Sequence, residues 1–351
     1  MGSMTRQDGK DKPAVDLPKR RLPEVDLRDV AKALGPNFGG LGDARIFLSG
    51  GTGFLGRWLL ESWLLARKEA LLHGELVVLT REPERWASAL GCPGLSFVGG
   101  DQTDFGFPEG TFDLVIHGAF EHGDARKTFW NNLLGCRHML DFARQAHASR
   151  FLLLSSGAVY GSQSMDRVPE TWPGTVDPLD PRQAYGSAKR ASEALGAAFQ
   201  ADGGPAFVSA RGFAFLGPGL PLDQNYAIGN FIRDALRGGP IRIQGDGTPY
   251  RSYLYASDAA AWFWALLARG DGAVNVGSPE ALSILQVAQK VRDTLAPEAT
   301  IEVAGRPLPG TPPSRYVPDT TRAEALGLRP RIGLEEGLRR TAAWSTNKEG
   351  A

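Results

Sequence analysis

Tyr185-Gly-Ser-Ala-Lys189 places a tyrosine and a lysine four residues apart within a stretch of helical periodicity. In a helix that interval puts the phenol and the ammonium on one face, about one turn apart. A free phenol titrates near pH 10, and an adjacent cation favours the phenolate and draws that value down. Such a pair is suited to moving a proton to or from an alcohol hydroxyl. By itself the pattern also fits an ordinary, partly exposed helix face. Upstream, however, the apolar run Phe151-Leu-Leu-Leu154 ends in Ser155-Ser156-Gly157. The Ser156 hydroxyl is then available to the same reacting oxygen, and Ser156, Tyr185 and Lys189 are the candidate catalytic group.

A second constellation lies near the start of the patterned region: Ile46-Phe-Leu-Ser-Gly50-Gly51-Thr52-Gly53-Phe54-Leu55-Gly56. Glycines at 50, 53 and 56 separate a short apolar run from an amphipathic stretch. Glycine lets the backbone turn tightly and approach a pyrophosphate with no Cβ between them. The following helix would offer unpaired N–H groups and the positive end of its dipole. The loop therefore predicts dinucleotide binding by Gly50, Thr52, Gly53, Phe54, Leu55 and Gly56. Arg57 follows Gly56 where a nucleoside triphosphatase loop would need Lys and Ser/Thr, so that class is excluded. Ser156 lacks the Gly-x-Ser-x-Gly elbow of a serine hydrolase. The five histidines (73, 117, 122, 138, 147) have no metal-ligand spacing, and no metal site is expected.

The elements around these residues alternate. Apolar runs bounded by turn signals occur at Ile46–Leu48, Leu76–Leu79, Leu95–Val98, Leu114–Ile116, Phe151–Leu154 and Phe207–Ala210, with helical stretches at Leu55–Leu72, Ala125–His147 and Tyr185–Gln200. Strands spaced by helices predict an α/β fold, a doubly wound parallel sheet covered on both faces. Residues 44–210 are read as the dinucleotide-binding domain, with a return segment at about 252–277. Residues 211–251 and 278–351, rich in Gly and Pro, are read as a smaller, loop-rich part. Trp262 and Trp264 belong to an apolar helix after Ser257-Asp258, an expected N-cap pair. The opening Met1-Gly2-Ser3-Met4 reads as a tag remnant. Residues 5–43, broken by Pro13, Pro18, Pro23 and Pro36, read as an extension, loose or draped over the body, with a helical candidate at Leu27–Leu34.

Composition bounds the partners. Lys+Arg 39 against Asp+Glu 39 gives zero formal charge, which argues against nucleic acid and anionic membranes. The longest apolar run, Ala259–Ala268, is too short to span a bilayer. Two cysteines, Cys92 and Cys136, can neither staple a scaffold nor hold a structural zinc, and no leader pattern opens the chain; a reduced cytoplasm is the expected compartment.

Taken in order, the motifs resemble those of the extended short-chain dehydrogenase/reductases, specifically the nucleotide-sugar epimerase/dehydratase family. Matching pieces run from about 44 to 330. They include the glycine loop, Gly100-Asp101-Gln102-Thr-Asp104, Asp113-Leu-Val-Ile-His117-Gly-Ala119, Asn132-Leu-Leu-Gly135 and Ser155-Ser156-Gly157-Ala158-Val-Tyr-Gly161. Tyr185-x-x-x-Lys189, Arg211-Gly-Phe-Ala214-Phe-Leu-Gly-Pro-Gly219, Gly245-Asp-Gly-Thr-Pro-Tyr-Arg251, Tyr255-x-x-Asp258 and Asn275-Val-Gly277 complete the series. The resemblance implies a Rossmann domain for NAD(P) and a C-terminal part for a nucleoside-diphosphate sugar. It implies Tyr185 as acid/base, Lys189 on the nicotinamide ribose and Ser156 on the substrate hydroxyl. Asp101 and Gln102 would lie near the adenine, with His117 and Ala119 also on the cofactor. Arg251 would hold the substrate diphosphate, with Arg315 as a second phosphate contact and Asn230 on the substrate. Guanidinium forks suit that role. It further implies a homodimer, built by the helices at Ala125–His147 and Tyr185–Gln200 as a four-helix bundle, with Leu133, Leu134, Leu140 and Phe142 as apolar positions.

Departures from the family pattern narrow the chemistry. Where 4,6-dehydratases of the family carry an Asp-Glu pair, this chain has Gly157 and Ala158. Ala214 replaces a common Asn, and Ser252 a common Asp. Epimerisation or 4-keto reduction is therefore expected. The alternatives are a 4,6-dehydratase with a substitute pair, for which Glu121 and His122 are candidates, and a dinucleotide-binding regulator without turnover. At the end of the second predicted strand, where NAD-binding folds use an acid, stand Thr80 and Arg81, with Arg85 one turn on. NADP(H) is favoured over NAD(H) on that ground, although a shift of one or two residues would bring Glu82 or Glu84 into place.

Overall fold

The computed structural model describes residues 20–346 except Asn225; the tag remnant and the first part of the extension lie outside the described residues. Seven strands form one parallel sheet: β1 (Arg45–Ser49), β2 (Glu75–Thr80), β3 (Leu95–Gly99), β4 (Leu114–His117), β5 (Arg150–Ser156), β6 (Ala206–Gly212) and β7 (Gly272–Val276). Their order is β3-β2-β1-β4-β5-β6-β7, so the chain reverses direction across the sheet between β1 and β4. β1, β4 and most of β5 are buried on both faces, the reason they read as unbroken apolar runs.

Helices α2 (Phe54–Lys68) and α7 (Ala256–Arg269) pack together, and α4 (Ala125–Gln145) pairs with α5 (Ala184–Ala201). The short α3 (Pro83–Leu90) rests on β3, and α9 (Thr321–Ala325) on β7. Two cores result. One holds Trp58, Trp63, Trp262 and Trp264 with Leu48 and Val78, and the other holds Phe47, Phe142 and Phe151 with Leu140. Trp264 Nε1 donates to Ser62 Oγ at 3.0 Å, which satisfies the indole inside the core. The helix start expected after Ser257-Asp258 lies earlier. Residue Tyr255 precedes α7, and Asp258 sits inside its first turn, where its carboxylate accepts from the Arg331 and Ile332 amides at 2.9 and 3.0 Å. The aspartate ties a distant loop to the helix instead of capping it.

The described part of the extension, from residue 20 on, is draped over the body. Helix α1 (Glu24–Leu34), ended at Gly35, packs on α2 and α7 and buries Leu27 and Val30. Asp26, fully buried, accepts from Tyr255 Oη at 2.7 Å and from Arg340 Nη1 at 2.5 Å, and Arg340 also reaches Asp29 at 3.0 Å. Arg340 lies on α10 (Leu334–Thr346), so the two ends of the described chain are joined by one charge cluster. Helices α6 (Ala227–Leu236) and α8 (Ile284–Leu295), with small strand pairs, form a cap over the carboxyl ends of the sheet. In one cap sheet Tyr250–Arg251 lies between Leu282–Ser283 and Arg315–Tyr316, in the register Arg315 to Tyr250 and Tyr316 to Arg251.

Candidate active site

A cavity of about 850 Å³ opens at the carboxyl ends of β1, β4, β5 and β6, beside the point where strand order reverses. Its floor is the glycine loop. Gly50 has φ +76°, and a Cβ there would stand 2.4 Å from the Gly118 carbonyl carbon; a Cβ on Gly56 would stand 1.9 Å from the Gly50 oxygen. Only glycine lets β1, the turn and α2 close to this distance. The first helical bond of α2 runs from Arg57 N to Gly53 O at 2.9 Å, which leaves the Phe54, Leu55 and Gly56 amides with no acceptor within the helix. All three residues line the cavity. These donors at a helix start fit a dinucleotide pyrophosphate. Thr52 lines an adjoining pocket with Arg57 and Tyr226.

Ser156, Tyr185 and Lys189 converge on the cavity wall from β5 and α5. Lys189 Nζ donates to the Leu154 carbonyl at 2.7 Å and lies 4.7 Å from the Phe120 ring centre. Burial lowers its pKa to about 8. The expectation that Lys189 draws the Tyr185 phenol down is not met. Burial raises Tyr185, and the nearby Ser156 hydroxyl offsets this only in part. Phe120 packs edge-on to Tyr185 at 4.8 Å and helps to bury the phenol.

Other expected residues divide. His122, Ala214, Asn230 and Arg251 line the cavity. Arg251 donates to the Tyr250 carbonyl at 2.8 Å and has no carboxylate partner among the described residues. Glu121 does not line it: its carboxylate accepts from Asn131 Nδ2 on α4 at 2.7 Å, while its backbone is clamped by Asn132. Arg315 does not either. It pairs with Asp166 at 3.0 Å and stacks on Tyr250, and the next residue, Tyr316, points into the cavity instead. His117 is turned inward, with Nδ1 2.8 Å from Ser49 Oγ, and burial lowers its pKa to about 3. The Ala119 amide donates to the same Ser49 oxygen at 3.3 Å. Gln102 lies buried against α4, near Asn132 and Gly135, and Asp101 folds back on Thr103. Thr80 is buried at the end of β2 and accepts from the Glu82 amide at 3.3 Å, and Arg81 is exposed.

Residues outside the expected set also line the cavity: Phe120, Tyr226, Arg242 and Tyr316. Arg242 pairs with Glu302 at 3.2 Å across a cap strand pair. The Tyr316 hydroxyl lies 3.1 Å from Ser156 Oγ. Among the described residues no Asp or Glu lines the cavity, and no group of three or more His, Cys, Asp or Glu is placed to hold a metal ion. No helix among them is long and apolar enough to cross a membrane.

Residues 46–277 match the model of the NAD dependent epimerase/dehydratase family. The chain is 31% identical over 304 residues to UDP-glucuronic acid decarboxylase 5 of Arabidopsis thaliana, covering 84% of this chain and 87% of that protein. It superposes on the UDP-glucose 4-epimerase of Thermus thermophilus, solved in complex with NAD, with a TM-score of 0.69 and 27% identity, covering 86% of this chain and 98% of the other. A dTDP-glucose 4,6-dehydratase of Streptomyces venezuelae shares the fold, with a TM-score of 0.70 at 24% identity over 86% of this chain and 96% of its own. On the matched residues and on identity across most of its length, the chain belongs to the NAD-dependent epimerase/dehydratase family.

Proposed function

We propose that this protein modifies a nucleoside-diphosphate sugar by hydride transfer at a ring carbon, with Tyr185 as the acid/base. The observation that carries the reading is the convergence of Ser156, Tyr185, Lys189 and Arg251, which has no carboxylate partner among the described residues, on a cavity that no described Asp or Glu lines. Arg251 takes the diphosphate, and the amides at the start of α2 take the cofactor pyrophosphate. A bound nicotinamide supplies the hydride acceptor and, when oxidised, a positive charge that favours the phenolate. Tyr185, held protonated by burial, is set to give its proton to a carbonyl oxygen in the reductive direction; in the oxidative direction the same oxygen receives the hydroxyl proton.

The missing carboxylates separate the reactions. Eliminating water across two carbons needs a base for a carbon-bound proton and an acid for the leaving hydroxyl. Gly157 and Ala158 carry no acid, and among the described residues the cavity lining holds neither an Asp nor a Glu for the task. Epimerisation and 4-keto reduction need only hydride exchange and the Tyr185 proton. A second reading is favoured by the relatives named UDP-glucuronic acid decarboxylases, a reaction the sequence reading did not include. Oxidation next to a carbon bearing a carboxylate yields a β-keto acid that loses carbon dioxide without a further protein base, so this cavity suits that chemistry too.

Incubation with UDP-glucose and UDP-glucuronic acid, with products identified by NMR and mass spectrometry, separates the readings. Tyr185→Phe is expected to lower turnover by about 10³-fold or more while cofactor binding stays within about twofold. Wild-type turnover in that variant would end the proposal, and a 4-keto-6-deoxy sugar formed without reductant would restore the dehydratase. For the cofactor we infer NADP(H) over NAD(H). Thr80 offers no carboxylate, Arg81 is exposed, and the Glu82 carboxylate is held by Arg85 at 3.1 Å. We also infer a homodimer through the outer faces of α4 and α5.

A further inference from the structure

Tyr316 belongs to the cap, yet its hydroxyl touches the catalytic group. Ser156 Oγ accepts from the Ala158 amide at 3.1 Å, lies 3.1 Å from Tyr316 Oη, and stands beside the Tyr185 phenol. Tyr316 Oη is also 3.3 Å from the Gly212 carbonyl oxygen, which can only accept. Two arrangements of protons satisfy this geometry. If the phenol proton points at Gly212, the Ser156 proton must make the Ser156–Tyr316 bond, and Ser156 meets any further partner as an acceptor. If the phenol proton points at Ser156, both serine lone pairs are engaged and the serine proton is free to donate. The contact to Ser156 is the shorter of the two.

The reaction needs the second arrangement. When a sugar carbinol is oxidised, a bound nicotinamide would supply the hydride acceptor, and the carbinol oxygen gives up its proton to Tyr185. Negative charge grows on that oxygen as the proton leaves, and a preset donor stabilises it. The ring of Tyr316 is locked for this purpose, packed on Phe213 at 4.7 Å, and its strand neighbour in register is Arg251.

We propose that Tyr316 is a positioning residue for hydride transfer: by donating to Ser156 it aims the serine proton at the reacting oxygen that Tyr185 deprotonates. The protons of Tyr316 and Ser156 stay on their own oxygens throughout; only the carbinol proton and hydride move. The inference rests on the acid/base role proposed for Tyr185.

A double-mutant cycle on the full chain tests it, using Ser156→Ala, Tyr316→Phe and the double variant, with Tyr185→Phe as a control. NAD(P)-loaded protein is mixed with UDP-glucose or UDP-glucuronic acid, and product formation is followed by NMR. Tyr316→Phe keeps the ring packing and is expected to lower kcat about tenfold or more with KM within about twofold. In the Ser156→Ala background the same change is expected to cost no more than about twofold. Equal losses in both backgrounds, a loss carried by KM, or a wild-type rate would overturn the inference. If Tyr185→Phe keeps its activity, the acid/base reading fails first. If Tyr185→Phe is inactive and Tyr316→Phe is silent, only the role of Tyr316 fails. Urea unfolding of the wild type and the three cycle variants gives a readout independent of turnover. Coupling of about threefold or more in the unfolding constant is expected for a hydrogen-bonded pair, and independent effects would overturn the inference whichever sugar is used.

Discussion

At the scale of single residues, the environment of a side chain decides what its type can do. His117 has the titration range of a proton shuttle, but β4 carries it into the sheet against Ser49, where burial keeps it neutral to about pH 3. An unfolded chain takes up that proton near pH 6.5, so the folded state binds fewer protons between the two values. Stability therefore falls as the pH drops below 6.5, by about 1.4 kcal/mol per unit from this group. His117→Asn is expected to remove roughly 2 kcal/mol of the decline between pH 6.5 and 5. Urea unfolding of both proteins across that range measures it, and parallel curves would contradict the assignment. Cofactor choice is also decided by a few side chains. NADP(H) is expected to bind at least about threefold more tightly than NAD(H), and Arg81→Ala to remove the difference. Fluorescence titration gives both constants, and NAD(H) binding tenfold tighter would reverse the choice.

At the scale of elements, α1 is the piece whose role the local pattern understates. Its apolar face rests on α2 and α7, the helices that carry the glycine loop and the second tryptophan pair. Burial raises the Asp26 carboxyl, and its hydrogen bonds to Tyr255 and Arg340 hold it down against that trend. Removing it leaves the Tyr255 hydroxyl without its acceptor inside the core, while Arg340 keeps Asp29 and Glu336. Asp26→Ala is expected to cost about 3 kcal/mol in urea unfolding. A change below about 0.5 kcal/mol would mean that α1 is a passive cover.

At the scale of the whole molecule, the outer face of α4 carries an unmet apolar stripe. Trp130 is 56% exposed and Leu134 38%, one turn apart on the same face, whereas Leu140 and Phe142 are spent on the protein's own core. Only part of the apolar pattern of α4 is thus free for a second copy. The proposed dimer is expected to give twice the chain mass in light scattering at micromolar concentration, and Trp130→Arg to reduce it to one chain by placing a charge in the bundle. A monomeric wild type would end the proposal.

What the sequence determined by itself is local in origin. Runs of apolar residues between turn signals specify buried parallel strands, the glycine spacing marks the turn from β1 into α2, and Tyr185 and Lys189 share a face because four residues make a helical turn. Those relations span a few residues and survive without knowledge of the rest of the chain. The departures at Gly157 and Ala158 are legible for the same reason. Tertiary structure alone decided which of two adjacent residues faces the site. In a strand, neighbours point to opposite sides, so the register that pairs Tyr316 with Arg251 sends Tyr316 inward and leaves Arg315 to Asp166. The loop after β4 makes the same kind of choice, turning Glu121 onto Asn131 and His122 to the cavity. Contacts between residues 156 and 316, or between 26 and 340, join segments that no periodicity relates, and packing of the cap and of α1 on the sheet is what brings them together.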